Sequence, residues 1–177
     1  MKHIISLLLI AMIFMSSCTS STSETKNETA SKPDVNEITQ KALEEWRSEH
    51  FGMFIHFGIY SELAGWWNGE KIPYYGEQIM NHARIPVDEY EAVAREFNPK
   101  DFNADEIVAL AKQAGMKYIV MTSKHHDGFC MFHTETTDYN IVDFTPFGRD
   151  VVKELSEACQ RQGMKFGLYY SLPDWHY

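Results

Sequence analysis

Two kinds of pattern alternate along this chain: short, nearly unbroken apolar runs, and longer stretches in which apolar residues recur at helical spacing. The runs at 51–58, 118–121 and 166–170 read as strands buried in a parallel sheet. Between them, Tyr90, Val93, Ala94 and Phe97 mark a helix over 88–97. Asn103 and Glu106 form a capping-box pair opening a helix with Ile107, Leu110, Ala111 and Ala114 inward, stopped at Gly115. Asp150 caps a further helix bearing Val152, Leu155 and Cys159, stopped at Gly163. Ahead of all these, Asn36 is placed to cap a helix with Ile38, Ala42 and Trp46 on one side. Residues 59–80 are irregular, dense in Trp, Tyr and Gly, and read as a functional loop.

An internal repeat orders these pieces. Gly115-Met116-Lys117-Tyr118 recurs 48 residues on as Gly163-Met164-Lys165-Phe166, and Ser123 and Ser171 keep the same offset. Helix, glycine, strand and polar loop, repeated, is the unit of a parallel sheet. No glycine-rich phosphate turn follows the first strand, so the expected fold class is α/β, a (β/α)8 TIM-like barrel, with about the first three βα units present.

The N-terminal stretch is a different kind of sequence. Lys2 and His3 precede an apolar segment, 4–14, too short to span a bilayer but suited to a signal peptide. Met15-Ser16-Ser17-Cys18 then resembles a bacterial lipobox, which makes Cys18 the lipid-bearing mature N-terminus; ordinary cleavage near Ser17 is the alternative. The expected organisation is a lipoprotein signal peptide at 1–18, a disordered tether at 19–35 rich in Ser, Thr, Glu and Lys, and a folded domain at 36–177. The protein is expected to be exported, periplasmic or outer-membrane anchored.

Composition narrows the partners. A formal charge of −9 argues against a nucleic-acid partner. Four Trp and nine Tyr favour carbohydrate or another flat, partly apolar ligand. Three cysteines are too few for a disulfide scaffold, and Cys130 and Cys159 are expected to stay unpaired, near opposite ends of their layer.

The candidate chemistry sits at strand ends, where parallel α/β folds keep it. Lys124-His125-His126-Asp127-Gly128-Phe129 follows the second strand. Neighbouring side chains on an extended strand point to opposite faces, so both imidazoles reach one ligand only if the strand breaks into a loop there; Asp127-Gly128 is such a signal. Neutral histidine offers one donor and one acceptor, which suits sugar hydroxyls. His56 is the lone polar group in the first strand, Tyr169 and Tyr170 end the third, and Glu77 lies in the loop leaving the first.

Three segments together resemble family 29 glycoside hydrolases, the α-L-fucosidases: residues 54–61 (Phe-Ile-His-Phe-Gly-Ile-Tyr-Ser), 124–130 (Lys-His-His-Asp-Gly-Phe-Cys) and 166–171 (Phe-Gly-Leu-Tyr-Tyr-Ser). The resemblance covers about residues 46–177, the N-terminal part of the family's catalytic domain. It implies that His56, His125, His126 and Glu77 hydrogen-bond the hydroxyls of fucose, and that Phe54 and Tyr169 pack on the C5 methyl. A Trp often follows the glutamate in the family; Gln78 stands there here, with Tyr75 as a candidate replacement. The resemblance also implies exo-hydrolysis of terminal α-L-fucose from glycoconjugates by a retaining mechanism, which needs two carboxylates about 5 Å apart. By motif the nucleophilic aspartate and the acid/base lie beyond Tyr177, so no catalytic residue is assigned within the chain, and the chain alone is expected to be inactive.

Other readings remain. A non-catalytic fucose-binding module, or an inert fragment, fits the missing carboxylates. A metal site of His125, His126, Asp127 and His133 or His56 lacks the spacing of a chelating motif. No metal and no cofactor are expected.

Overall fold

The structure, a computed structural model, describes residues 34–177. The signal peptide, Cys18 and nearly all of the tether lie outside the described residues. Helix α1 (Val35–Ser48) opens on Asp34, whose carboxylate accepts from the Asn36 amide at 3.2 Å; the cap is Asp34 and not Asn36. An aspartate at this position satisfies an otherwise orphaned N–H of the first turn. The helix buries no residue, and Trp46 stands 71% exposed.

Strands β1 (Gly52–Ile55), β4 (Tyr118–Lys124) and β5 (Lys165–Tyr170) form one parallel sheet in the order β1-β4-β5. Each crossover carries helix, as parallel pairing requires. Before β4 come α4 (Val87–Glu96) and α5 (Ala104–Gln113); α6 (Val151–Gln162) precedes β5. Asn103 and Asp150 cap α5 and α6, accepting from the Glu106 and Lys153 amides. Gly115 and Gly163 both take left-handed backbone, φ 83° and 66°, where each chain leaves its helix for the next strand.

One face of the sheet is the core. Ile119 and Met121 are fully buried there, and Met53, Ile55 and Phe166 pack on the same cluster. The face of α5 differs from expectation: Ala104, Val108 and Ala111 are buried while Leu110 is 61% exposed. Small alanines let α5 lie close to α6, where Ala158 is also buried, and Arg161 grips both oxygens of Asp105 at 3.0 and 2.9 Å. α6 turns Val151, Leu155, Ala158 and Cys159 inward and leaves Val152 half-buried.

The opposite face alternates large and small. Gly52 pairs with Tyr118, and Val120 with Gly167. A Cβ on Gly52 would meet the Tyr118 ring at 2.3 Å, so the residue must be glycine for that ring to lie across β1. Farther along the same face, toward the strand ends, stand Phe54 and Tyr169.

The irregular stretch after β1 contains more structure than its sequence suggests. It holds α2 (Ile59–Leu63), a hairpin of β2 (Trp66–Trp67) and β3 (Glu70–Lys71), a 3-10 turn (Gly76–Gln78) and α3 (Ile79–His82). Ile59, Tyr60, Ile79 and Met80 anchor it in the core. Cys130 and Cys159 are free and buried; burial pushes the Cys130 thiol up to about 11, so it is an inert packing residue.

Candidate functional site

Thr122 sets the position of His56. Its hydroxyl oxygen accepts from the Phe57 amide at 3.1 Å and lies 3.0 Å from the Tyr60 hydroxyl, so the chain leaving β1 is pinned to β4 as it turns into α2. His56 is presented between these fixed points. Burial raises the Tyr60 hydroxyl above its ordinary range, which keeps it a neutral hydrogen-bonding group.

A break in β4 aims the two adjacent histidines. The pairing of β4 with β5 shifts between Thr122 and Lys124. Ser123 uses its side chain to reach the Tyr169 carbonyl at 2.9 Å, while its own carbonyl accepts from the Met131 amide at 2.8 Å. Such an irregularity re-aims the side chains that follow. The chain then turns, with the Gly128 amide donating to the His125 carbonyl at 3.1 Å. The His125 and His126 rings end up side by side, with centroids 4.4 Å apart.

All six sequence-predicted residues are contiguous. Phe54 and His56 rings lie 4.7 Å apart, His56 and His125 5.7 Å, and His125 stacks on Tyr169 at 5.5 Å. Phe54 meets Tyr169 edge-on at 6.1 Å. One polar atom each from His56, Glu77 and His125 lies within 4.8 Å of the others. Glu77 reaches this point from the 3-10 turn. Tyr75 is 68% exposed and makes no ring contact with the cluster among the described residues.

The electrostatics suit a neutral ligand. His125 is 5% exposed, and burial, with His126 and His56 beside it, lowers its pKa to about 4. It is therefore uncharged near neutral pH, one nitrogen donating and the other accepting. Its Nδ1 is buried without a partner.

His126 is held differently. Its Nδ1 pairs with the Ser171 hydroxyl, and the Trp175 ring lies 5.0 Å away. Behind it Lys124, 5% exposed, meets Asp174 at 3.0 Å and donates to the Ser171 carbonyl at 3.3 Å. Asp127 is fully buried, accepting from the Tyr90 hydroxyl at 2.9 Å and the Phe129 amide at 3.3 Å. Burial raises its pKa to about 6 despite those bonds. Both aspartates near the histidines are thus engaged in scaffold, which leaves Glu77 as the carboxylate within the cluster among the described residues.

Sequence reasoning missed Tyr60, Thr122, Ser171 and Trp175. The repeat that pairs Ser123 with Ser171 was the available signal for Ser171. Nothing in the local pattern marks Trp175, because its place is set by contacts to a loop about fifty residues earlier.

Comparison with known proteins places this arrangement. The family model described as alpha-L-fucosidase matches residues 18–177. Plasma alpha-L-fucosidase of Homo sapiens is 39% identical over 153 residues, 81% of this chain and 32% of the relative; tissue alpha-L-fucosidase of Bos taurus is 36% identical over 152 residues, with the same shares of the two chains. The chain thus spans about a third of the length of the curated relatives it matches. Among solved structures, alpha-L-fucosidase AlfC from Lactobacillus casei, in complex with its alpha-L-fucose product, superposes with a TM-score of 0.75 at 51% identity, over 76% of this chain and 42% of that one. The alpha-L-fucosidase from Vibrio sp. strain EJY3 gives 0.74 at 47%, over 78% and 24%.

Proposed function

This chain belongs to the alpha-L-fucosidase family, and on that premise we propose that its cluster binds the terminal fucose of a fucosylated oligosaccharide or glycoconjugate for exo-hydrolysis. One observation carries the reading: uncommitted polar atoms of His56, Glu77 and His125 converge beside the rings of Phe54 and Tyr169. Fucose has the matching character. Its hydroxyls need donors and acceptors on one side, and its C5 methyl needs an apolar wall on the other. The neutral imidazole of His125 serves one hydroxyl as donor or another as acceptor, and Glu77 accepts. Phe54 and Tyr169 meet the methyl, so that a hydroxymethyl group in its place would be desolvated without a partner.

Hydrolysis with retention uses a nucleophilic carboxylate and a second carboxyl group as acid/base. Asp127 is committed to Tyr90 and Asp174 to Lys124, so neither serves as nucleophile in this reading. We assign both catalytic carboxylates to sequence beyond this chain, and the β1-β4-β5 arc to a (β/α)8 barrel whose remaining strands carry them. Export as a lipoprotein through Cys18 completes the proposal, anchoring the enzyme at a membrane facing extracytoplasmic glycans.

A second reading is sugar binding without hydrolysis; Glu77 is the one carboxylate of the cluster among the described residues. Titration of the chain with L-fucose, followed by turnover of an aryl α-L-fucoside with and without the downstream sequence, separates the two. Binding by the chain with turnover only in the longer protein supports the enzyme; binding with no turnover in either supports the module.

A further inference from the structure

The converging atoms of the cluster have a second chemistry. Two imidazoles and one carboxylate form a donor set that zinc and its neighbours accept readily. His56, Glu77 and His125 supply that set with their ligand atoms within 4.8 Å of one another, and none of those side chains is hydrogen-bonded to another protein group among the described residues. We infer that the His56–Glu77–His125 cluster takes a divalent cation of the zinc class, and that cation and sugar exclude one another; the exclusion rests on the sugar-binding reading above.

The geometry needs only local closure. Zinc at about 2.1 Å from each donor, in tetrahedral arrangement, wants donor atoms roughly 3.4 Å apart. His125 is the fixed ligand, buried and stacked on Tyr169. His56 is exposed just past the end of β1, and Glu77 is half-buried on a three-residue 3-10 turn. His126 is not recruited through Nδ1, which is engaged by Ser171.

The surroundings decide how such a cation is held. Histidines of resident metal sites almost always donate their second nitrogen to a carboxylate or carbonyl, and losing that partner costs about 10- to 100-fold in affinity. With Nε2 of His125 as the ligand atom, its Nδ1 is left buried with no partner. The cluster thus lacks the outer shell of a resident site, and the cation it takes is exchangeable. It occupies the lone pairs that the sugar hydroxyls would otherwise use, which makes it a competitor of the sugar and not a cofactor.

Zinc chloride and cobalt chloride, titrated into the chain in chelator-free buffer, test this directly. One zinc per chain is expected, and cobalt should show the visible absorption of a low-coordinate site with nitrogen ligands. His56→Ala and Glu77→Gln should each weaken zinc by about tenfold or more, with circular dichroism unchanged. His133→Ala, whose imidazole lies 3.7 Å from Asp143 at an exposed site, should leave it unchanged. Saturating L-fucose should raise the apparent zinc dissociation constant. Zinc binding indifferent to His56→Ala and Glu77→Gln overturns the inference. So does fucose binding, seen by NMR, in a chain that takes no zinc; the sugar reading then stands alone. Zinc binding that needs the cluster in a chain that ignores fucose supports the cation site and overturns the exclusion together with the sugar reading.

Discussion

The Trp175 amide donates to the His126 carbonyl at 2.8 Å, and the Trp175 ring lies 5.0 Å from the His126 ring. One of the three clustered histidines is therefore tied through its backbone and its ring nitrogen to the segment after β5, while His56 is exposed and makes no side-chain hydrogen bond among the described residues. The two should respond differently to truncation. His126→Ala removes one of the two partners of the Ser171 hydroxyl, leaving its 3.5 Å bond to the Pro173 carbonyl, and should cost about 0.5–1.5 kcal/mol beyond the lost ring packing. His56→Ala should stay within about 0.5 kcal/mol of the parent. Chemical denaturation checks both, and equal losses would contradict the assignment.

Gly128 sits under that same segment. Its φ is 81°, and an added Cβ would meet Asp174 Oδ1 at 2.5 Å and His176 Cβ at 2.8 Å. Gly128→Ala combines a strained backbone with displacement of the Asp174 carboxylate from Lys124. It should cost about 1–3 kcal/mol and weaken fucose binding. A melting temperature equal to the parent's would show that residues 172–177 do not pack on this loop.

The Tyr90 hydroxyl is the side-chain donor to the buried Asp127. Tyr90→Phe keeps the ring and leaves one carboxylate oxygen without its partner. The expected loss is about 1–3 kcal/mol. Because a neutral Asp127 loses less than a charged one, the loss should shrink as pH falls below about 6. A loss that is independent of pH would contradict the placement of that carboxylate.

His125 also gives stability a pH dependence, over a lower window. Burial lowers its folded-state pKa to about 4, whereas in the unfolded chain it is that of a free imidazole. Between about pH 6.5 and 4 the unfolded state binds the extra proton, so the His125 contribution to stability falls as pH falls. Relative to His125→Gln, the parent should lose stability across that window and run parallel above about pH 7. Parallel curves throughout would show an imidazole that titrates freely in the fold.

Much of this was legible before any coordinates. The glycine stops, the Asn103 and Asp150 caps and the three apolar runs are local signals, and an element appears at each, though β1 ends at Ile55 rather than Gly58 because the chain turns into α2, and β4 runs past Met121 to Lys124. Local signals failed where tertiary packing chose. Leu110 faces out because close alanine packing brings Val108 inward, and the Trp- and Tyr-rich loop is held by Ile59 and Ile79 rather than by periodicity. The six candidate site residues were legible through motif resemblance, and they lie together. The clamp behind them was not: Lys124 and Asp174 are fifty residues apart, and no spacing announces that pair.

The proposed export rests on the lipobox-like sequence around Cys18 alone. Cys18→Ala should release the protein from the membrane fraction and leave the signal peptide uncut. A variant processed and fractionated like the parent would remove the lipid anchor from the account.

The most direct measurement is an NMR titration of the chain with L-fucose and, separately, with L-galactose, following the histidine and Tyr169 ring resonances. The account predicts saturable shifts at His56, His125 and Tyr169 with L-fucose, abolished in His125→Ala, and binding at least about tenfold weaker for L-galactose, whose hydroxymethyl group meets Phe54 and Tyr169 where the methyl should be. Equal binding of both sugars, or shifts confined to residues outside this cluster, would contradict it.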